Sequence, residues 1–119
     1  MTILALDQGT SSSRAILFDD HLRPLHSAAR PVTQSYPRPG EVEHNPRELL
    51  DGILSSAREV LARVPRGSVA AIGLTNQRET TLLWDRATGE ALHPAIVWQD
   101  RRTAAACEAV QKAGHEDLI

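Results

Sequence analysis

A short polar stretch between two apolar runs most constrains how this chain can fold. The stretch extends from Asp7 to Arg14 and contains one acid, one glycine, four consecutive hydroxyl side chains and one arginine. Residues 3–6 and 15–18 on either side are apolar, with the length and bulk of buried strands. The pattern therefore predicts an antiparallel hairpin over residues 2–7 and 14–19 with a polar tip.

The composition of this tip suits a phosphate ligand. Gly9 allows the backbone to come close, the four hydroxyl groups donate hydrogen bonds, and Arg14 adds a positive charge. Asp7 has the carboxylate that a hard metal ion prefers. The alternative is a turn without a ligand, because Ser, Thr and Gly are common in loops. In that case Asp7 caps the turn and Arg14 faces solvent.

Composition excludes several classes of function. The 119 residues carry a net charge of -2 and no basic run, so no nucleic-acid partner is expected. No apolar run approaches the roughly 18 residues that a membrane span needs. The single Cys107 excludes an intrachain disulfide and fits a reducing cytoplasm. Lys112 is the only lysine, so the chain contains neither a Walker A loop nor the strand lysine of protein kinases.

The next segments predict a third strand and a helix. A strand over residues 25–32 completes an antiparallel meander, and a loop over residues 34–46 follows it. The helix begins at Asn45, which suits the N-cap, with Glu48 at the capping-box position, and it ends at Pro65. Its apolar residues recur on one helical face: Leu49, Leu50, Ile53, Leu54, Ala57, Val60, Leu61 and Val64.

The second half of the chain predicts a parallel strand, a hairpin and a helix. Residues 69–74 show no alternation, which favours a strand with both faces covered, parallel to the first sheet after the crossover helix. Residues 80–84 and 92–98 predict a second hairpin. A helix capped by Asp100 follows over residues 101–113. The chain is therefore expected to be an α/β protein, with a three-strand antiparallel meander extended by one parallel strand.

Three polar clusters follow the ends of predicted strands. Asp7 ends the first strand, residues 75–79 follow the parallel strand, and residues 98–102 follow the last strand. Ligands of α/β sheets gather at the carboxyl ends of strands. We therefore expect the three clusters to form one site.

The motifs of these clusters carry a family resemblance. They are Leu-Asp-Gln-Gly-Thr at 6–10, Ser-Ser-Arg at 12–14, residues 39–40 and 42–44, Ala-Ala-Ile-Gly at 70–73, Thr-Asn-Gln-Arg-Glu-Thr-Thr at 75–81, and residues 95–99 and 101–103. With them, the chain resembles the FGGY carbohydrate kinases over essentially its whole length. The run at 75–81 resembles the branch that phosphorylates glycerol. Ser11, Glu41 and Asn45 depart from the family pattern, which usually has Thr, Trp and Asp there.

The resemblance implies a ribonuclease H-like domain of the actin, hexokinase and Hsp70 type, with ATP bound between two domains. Residues 1–119 are expected to be the N-terminal part of the first domain. The second domain and the general-base aspartate are then expected beyond the chain end, so the isolated chain should be inactive. The implied reaction transfers the γ-phosphoryl group of ATP to glycerol and gives sn-glycerol 3-phosphate. The full-length enzyme is expected to be cytoplasmic and homo-oligomeric.

The same resemblance implies roles for the residues of the tip. Asp7 is expected near Mg²⁺, through water. Thr10, Ser11 and Ser12 are expected to bind the β- and γ-phosphates of ATP, and Arg14 to contact phosphate oxygens.

The resemblance also implies a glycerol site. Arg78 and Glu79 are expected to bind glycerol hydroxyls, because a guanidinium offers only donors and a carboxylate only acceptors. Trp98 is expected to lay its ring against the glycerol carbons. The alternatives are a solvated ion pair for the first two residues and a packing role for Trp98.

Two other functions stay open at this point. The chain could be a non-catalytic ATP-binding module of the actin or Hsp70 type, or an inactive fragment of a kinase. The five histidines show no metal-ligand spacing and are expected in loops or at the surface.

Overall fold

The polar stretch forms the tip of an antiparallel hairpin, as predicted. The computed structural model of the protein describes residues 1–115. In chain order its elements are β1 (Thr2–Gln8), β2 (Ser12–Phe18), β3 (Pro24–Pro31), β4 (Glu43–His44), α1 (Pro46–Leu61), β5 (Val69–Asn76), β6 (Ala95–Ile96) and α2 (Ala104–Lys112).

The main sheet has the order β3-β2-β1-β5. The first three strands form the antiparallel meander, and β5 runs parallel to β1 after the crossover helix α1. Both features agree with the predicted topology. Because β1 and β5 are parallel and adjacent, their carboxyl ends lie together, with Asp7 beside Thr75.

The helix α1 begins where the sequence predicts. The Asn45 side chain accepts hydrogen bonds from the backbone N–H groups of Arg47 and Glu48, and Pro46 occupies the first turn. The predicted capping box is not formed. The Glu48 carboxylate instead accepts hydrogen bonds from the backbone N–H and the hydroxyl of Thr33, because the preceding loop lies within its reach.

The core lies between α1 and the sheet. Its buried residues are Leu4, Ala15, Leu17, Ala28, Ala57 and Val60. At Gly52 the helix comes so close to β2 that an added Cβ would lie 3.0 Å from Ser13 Oγ. Ser56 is also buried there, and its hydroxyl donates to the Ser13 carbonyl. The base of the polar tip is therefore held by the helix behind it.

The predicted apolar face of α1 is only partly buried. Leu50, Leu54 and Leu61 are exposed, whereas the small residue Ser56 faces the sheet. The close approach of the helix at Gly52 explains why a small residue faces the sheet there, since only small side chains fit between the two elements.

The prediction that both faces of β5 are covered is wrong for the described residues. Its residues from Ala70 to Asn76 are exposed, including Ile72 and Leu74. The helix α1 packs on β2 and β3 and makes no comparable contact with β5. Strand β5 therefore forms an open edge of the sheet.

The second predicted hairpin is reduced to isolated bridges. Thr81 pairs with Ile96 and Trp84 with Ala91, but no regular strand forms over residues 80–84. Strand β6 pairs on its other side with β4, inside the segment predicted as a loop. A partner distant in the chain is thus added to the local one.

The final helix is shorter than predicted. Helix α2 spans Ala104–Lys112, and Thr103 at its N-cap makes no side-chain hydrogen bond to it. Asp100 is not the helix cap, because its carboxylate accepts from the backbone N–H groups of Val42 and Arg102.

Candidate functional site

The tip presents its charged side chains on one face of the sheet. Asp7 on β1 lies opposite Arg14 on β2 and beside Thr75 on β5. Side chains in register on neighbouring strands point to the same face. Their neighbours in sequence, such as Ser13, point to the α1 face, so Asp7 and Arg14 project from the opposite face. Both are exposed.

The tip itself is a tight turn. The backbone N–H of Gly9 donates to the Ser12 carbonyl at 3.0 Å, and a Cβ on Gly9 would lie 3.0 Å from the same oxygen. Glycine is therefore the residue that closes this turn without strain. Ser11 is exposed, while Thr10 and Ser12 are half-buried. The three hydroxyl residues expected to bind phosphate are thus adjacent on one short loop.

Trp98 reaches this tip from the distant end of the described chain. Its indole Nε1–H donates to Thr10 Oγ1 at 2.9 Å. The Thr10 hydroxyl keeps its own hydrogen for a further acceptor, because it accepts the indole proton. Two residues with separately predicted roles, phosphate and glycerol binding, are therefore in direct contact.

The loop after β5 carries Arg78 and Glu79 into solvent. Both side chains are exposed, and neither makes a hydrogen bond or ion pair within residues 1–115. The predicted alternative of a solvated ion pair between them is therefore not formed. Glu79 has a φ of 66°, in the left-handed region that non-glycine residues seldom adopt. Strain of this kind concentrates at ligand-binding positions.

The same loop is attached to the first strand and to Trp98. The backbone N–H of Gln77 donates to the Gln8 carbonyl at 2.8 Å. The Thr80 hydroxyl accepts from the backbone N–H of Trp98 and lies 3.1 Å from Gln77 Oε1. The structure therefore connects the three predicted clusters through hydrogen bonds, although Arg78 and Glu79 have no bond to the tip.

His44 is the residue of this region that sequence reasoning missed. It was expected in a loop or at the surface, but it lies in β4 and is only 1% exposed. Its Nε2 is 2.8 Å from Gln34 Oε1, and its Nδ1 is 3.1 Å from Gln77 Nε2. Burial lowers the pKa of His44 below its ordinary value, and the charge of Glu48 opposes that shift. The ring is therefore neutral at physiological pH.

A second cluster holds the turn after Trp98. The Arg102 guanidinium donates to the carboxylates of Asp100 and Glu43 at 2.8 Å each, and Glu41 lies 3.9 Å away. Asp100 is nearly inaccessible and also accepts from the Val42 N–H at 2.6 Å. Hydrogen bonds from the Arg102 side chain hold the pKa of Asp100 well below its ordinary value. The loop containing Glu41 is thereby tied to residues 100–102.

The described residues contain no group of three or more metal-ligating side chains. Asp7 alone offers an exposed carboxylate beside the hydroxyl-rich turn. That donor set fits Mg²⁺, which is usually held by one or two carboxylates together with water and substrate phosphates. It does not fit zinc, which needs three or four nitrogen, sulfur or carboxylate ligands.

Comparison with models of known protein families shows to which family the chain belongs. The model of the FGGY family of carbohydrate kinases, N-terminal domain, matches residues 2–119. The chain belongs to the FGGY family of carbohydrate kinases.

Curated FGGY relatives include two glycerol kinases that are each 56% identical over 119 residues. They come from Leptothrix cholodnii and Aromatoleum aromaticum. In both cases the alignment covers 98% of this chain and 24% of the relative. The chain therefore spans about a quarter of the length of the curated relatives it matches.

Solved FGGY structures confirm the fold class. The crystal structure of Plasmodium falciparum glycerol kinase with ADP matches with a TM-score of 0.83 at 34% identity, over 97% of this chain and 23% of that one. A ligand-bound xylulose kinase from Lactobacillus acidophilus matches with a TM-score of 0.90 at 19% identity, over 98% and 24%. The ribonuclease H-like α/β fold predicted for this FGGY chain is thus confirmed.

None of the helices within residues 1–115 of this FGGY chain has the length and apolar character needed to cross a membrane.

Proposed function

We propose that this chain supplies the phosphate-binding tip and the glycerol-binding loop of an ATP-dependent kinase that converts glycerol to sn-glycerol 3-phosphate. Residues 1–119 then form the N-terminal part of the first of two domains. The observation that carries the proposal is the 2.9 Å hydrogen bond from Trp98 Nε1 to Thr10 Oγ1. This bond places the two predicted subsites next to each other, and transfer between two bound ligands requires such proximity.

The relatives support the choice of substrate. The curated relatives described above are glycerol kinases, and they share more than half of their aligned residues with this chain. The chain also contains the Thr-Asn-Gln-Arg-Glu-Thr-Thr run at 75–81 that resembles the glycerol branch.

In this proposal the tip holds the nucleotide by its phosphates. The hydroxyl and backbone groups of Thr10, Ser11 and Ser12 bind β- and γ-phosphate oxygens, and Arg14 offsets their charge. Asp7 would hold Mg²⁺ on the same face, and the ion would supply positive charge to offset the charge that develops on the phosphates. The exposed, unpaired state of Asp7 and Arg14 within residues 1–115 supports these assignments.

Glycerol is held on the loop after β5. Arg78 donates to its hydroxyl oxygens, Glu79 accepts from its hydroxyl groups, and the half-exposed Trp98 ring covers its carbon atoms. A terminal hydroxyl oxygen attacks the γ-phosphorus, and the bond from that phosphorus to the β,γ-bridging oxygen breaks. We assign none of these residues as the base that takes the hydroxyl proton. Their role is to position the two reactants, which dominates catalysis of phosphoryl transfer.

A chimeric enzyme tests the proposal. Residues 1–119 replace the matching N-terminal segment of the Leptothrix cholodnii glycerol kinase, and formation of sn-glycerol 3-phosphate from ATP and glycerol is measured. We expect an active chimera and a loss of kcat/KM for glycerol of about 100-fold in Arg78→Ala. Arg86→Ala is the matched control, because Arg86 is also an exposed loop arginine.

Full activity of the Arg78→Ala chimera would refute the glycerol assignment. A chimera that binds ATP but transfers no phosphoryl group would favour the non-catalytic module instead. We further propose a cytoplasmic location, since the free Cys107 suits a reducing compartment. We also propose that the full-length enzyme is homo-oligomeric.

A further inference from the structure

We infer that His44 is a positioning residue that ties the glycerol loop to the phosphate tip through a closed ring of hydrogen bonds. The inference rests on the proposed function, since it concerns how the two subsites are held in register. The members of the ring are Thr10, Gln34, His44, Gln77, Thr80 and Trp98.

The first half of the ring runs from the tip to the loop through His44. Gln34 Nε2 donates to the backbone carbonyls of Thr10 at 2.8 Å and Val32 at 3.2 Å. Those two carbonyls fix the orientation of the Gln34 amide, so its Oε1 must face His44 as an acceptor. His44 Nε2 therefore carries the hydrogen and donates to Gln34.

The second half returns from the loop to the tip. The Thr80 hydroxyl accepts from the Trp98 backbone N–H at 3.2 Å and gives its own hydrogen to Gln77 Oε1 at 3.1 Å. This places Gln77 Nε2 toward His44 Nδ1 as a donor, at 3.1 Å. The Trp98 indole then closes the ring at Thr10 Oγ1.

Two backbone groups in this ring set the direction of its hydrogen bonds. The Thr10 carbonyl can only accept, and the Trp98 N–H can only donate. Between them, His44 fits only as the neutral tautomer with a hydrogen on Nε2 and none on Nδ1. A second ring proton would face the Gln77 amide hydrogens and leave two donors opposed. The neutral imidazole donates to Gln34 from one ring nitrogen and accepts from Gln77 at the other.

The ring connects segments that are far apart in the sequence. His44 lies 10 residues from Gln34 and 33 residues from Gln77, and Trp98 lies 88 residues from Thr10. Gln77 immediately precedes Arg78 and Glu79, whose side chains have no bond to the tip within residues 1–115. The register between the phosphate and the attacking hydroxyl therefore depends on these links, together with the backbone bond from the Gln77 N–H to the Gln8 carbonyl.

Misplacement of reacting groups by about 1 Å lowers the rate of transfer by about 100-fold, although each ligand still binds. Breaking the ring at His44 should therefore affect kcat more than it affects either KM. Hydrolysis of ATP in the absence of glycerol does not need the glycerol loop in register with the tip, and it should change little.

The test uses the chimera described above with His44→Phe, which keeps a planar ring and removes both bonds. We expect kcat for glycerol phosphorylation to fall by about 10- to 100-fold relative to the unmodified chimera. The KM values for glycerol and ATP should stay within about threefold of those of the unmodified chimera, and ATP hydrolysis without glycerol should be unchanged. Val60→Ala is the control, because Val60 is buried in the α1 core outside the ring. Its substitution leaves a cavity and lowers the stability without breaking any bond of the ring.

Gln34→Met is the second variant, for the case that His44→Phe does not fold. Gln34 is only half-buried, and methionine preserves its length while removing its bonds to His44 and Thr10. We expect the same selective loss of kcat. Unchanged kcat in Gln34→Met or His44→Phe, or an equal loss in Val60→Ala, would overturn the inference. An unmodified chimera without activity would instead refute the proposed function, and the inference with it.

Discussion

Asp7 and Arg14 lie directly opposite each other on β1 and β2, yet they form no ion pair within the described residues. Opposed side chains on antiparallel strands have Cβ atoms about 5 Å apart, close enough for such a pair. Both charges are instead exposed on the face of the sheet opposite α1. This arrangement leaves a cation and an anion available to a ligand that carries both charges, such as a metal–phosphate complex.

The first prediction concerns this pair. In the chimera, Asp7→Asn should lower kcat by about 100-fold or more, because the Mg²⁺ that would offset the charge developing on the phosphates loses its carboxylate. The KM for glycerol should change little, since our assignment gives Asp7 no contact with glycerol. Steady-state assays over a range of Mg²⁺ concentrations measure both effects. Asp51→Asn on the exposed face of α1 is the matched control, and equal activity of the two variants would contradict the role of Asp7.

The second prediction concerns the bond between Trp98 and Thr10. Trp98→Phe keeps an aromatic ring but removes the indole N–H, so kcat/KM should fall by about 3- to 10-fold, the equivalent of one ordinary hydrogen bond. Trp84→Phe is a close control, because Trp84 is 56% exposed and Trp98 is 53% exposed. Steady-state kinetics with glycerol as the varied substrate measure the difference. Similar values for both variants would show that the indole N–H has no part in the reaction.

The third prediction uses the strained backbone of Glu79. Glu79→Gly should raise the free energy of unfolding by about 1 kcal/mol relative to Glu79→Ala, because glycine adopts a positive φ without steric cost. Both variants should lose about 10- to 100-fold in kcat/KM for glycerol, since both lack the carboxylate. Thermal unfolding and steady-state kinetics separate the two effects. An Ala variant as stable as the Gly variant would show that the loop is not strained at this residue.

The fourth prediction concerns pH. The pKa of His44 in the folded chain lies below its ordinary value of 6.5, so the unfolded chain binds this proton at a higher pH than the folded chain. His44 therefore destabilises the fold progressively as the pH falls from about 6.5 toward the folded-state pKa, and has no such effect above that range. Glu48 opposes this shift without reversing it.

Calorimetry of the chimera and its His44→Asn variant from about pH 8 to about pH 5 measures this dependence. We expect the Tm to fall less steeply below pH 6.5 in the variant, because the variant lacks the titrating group. Parallel curves for the two proteins would mean that His44 takes up its proton equally in the folded and unfolded states.

Local signals in the sequence were sufficient for most of the secondary structure. The alternation between apolar runs and the glycine tip predicts β1 and β2, and the Asn45-Pro46 pair predicts the start of α1. These features depend on neighbours within a few residues, through turn geometry, capping and side-chain period. The residues proposed for phosphate and glycerol binding were named from contiguous motifs, and their roles stay predictions.

Packing between distant segments accounts for the features that were mispredicted. Glu43–His44 form a strand only because Ala95–Ile96 pair with them, and the resulting sheet buries His44. Likewise, α1 leaves β5 exposed because the helix packs on β2 and β3. The hydrogen bonds from Trp98 to Thr10 and from Gln77 to His44 join residues 88 and 33 positions apart. Local propensity carries no information about such pairs, because their energy exists only once the intervening chain has folded and excluded water from between them.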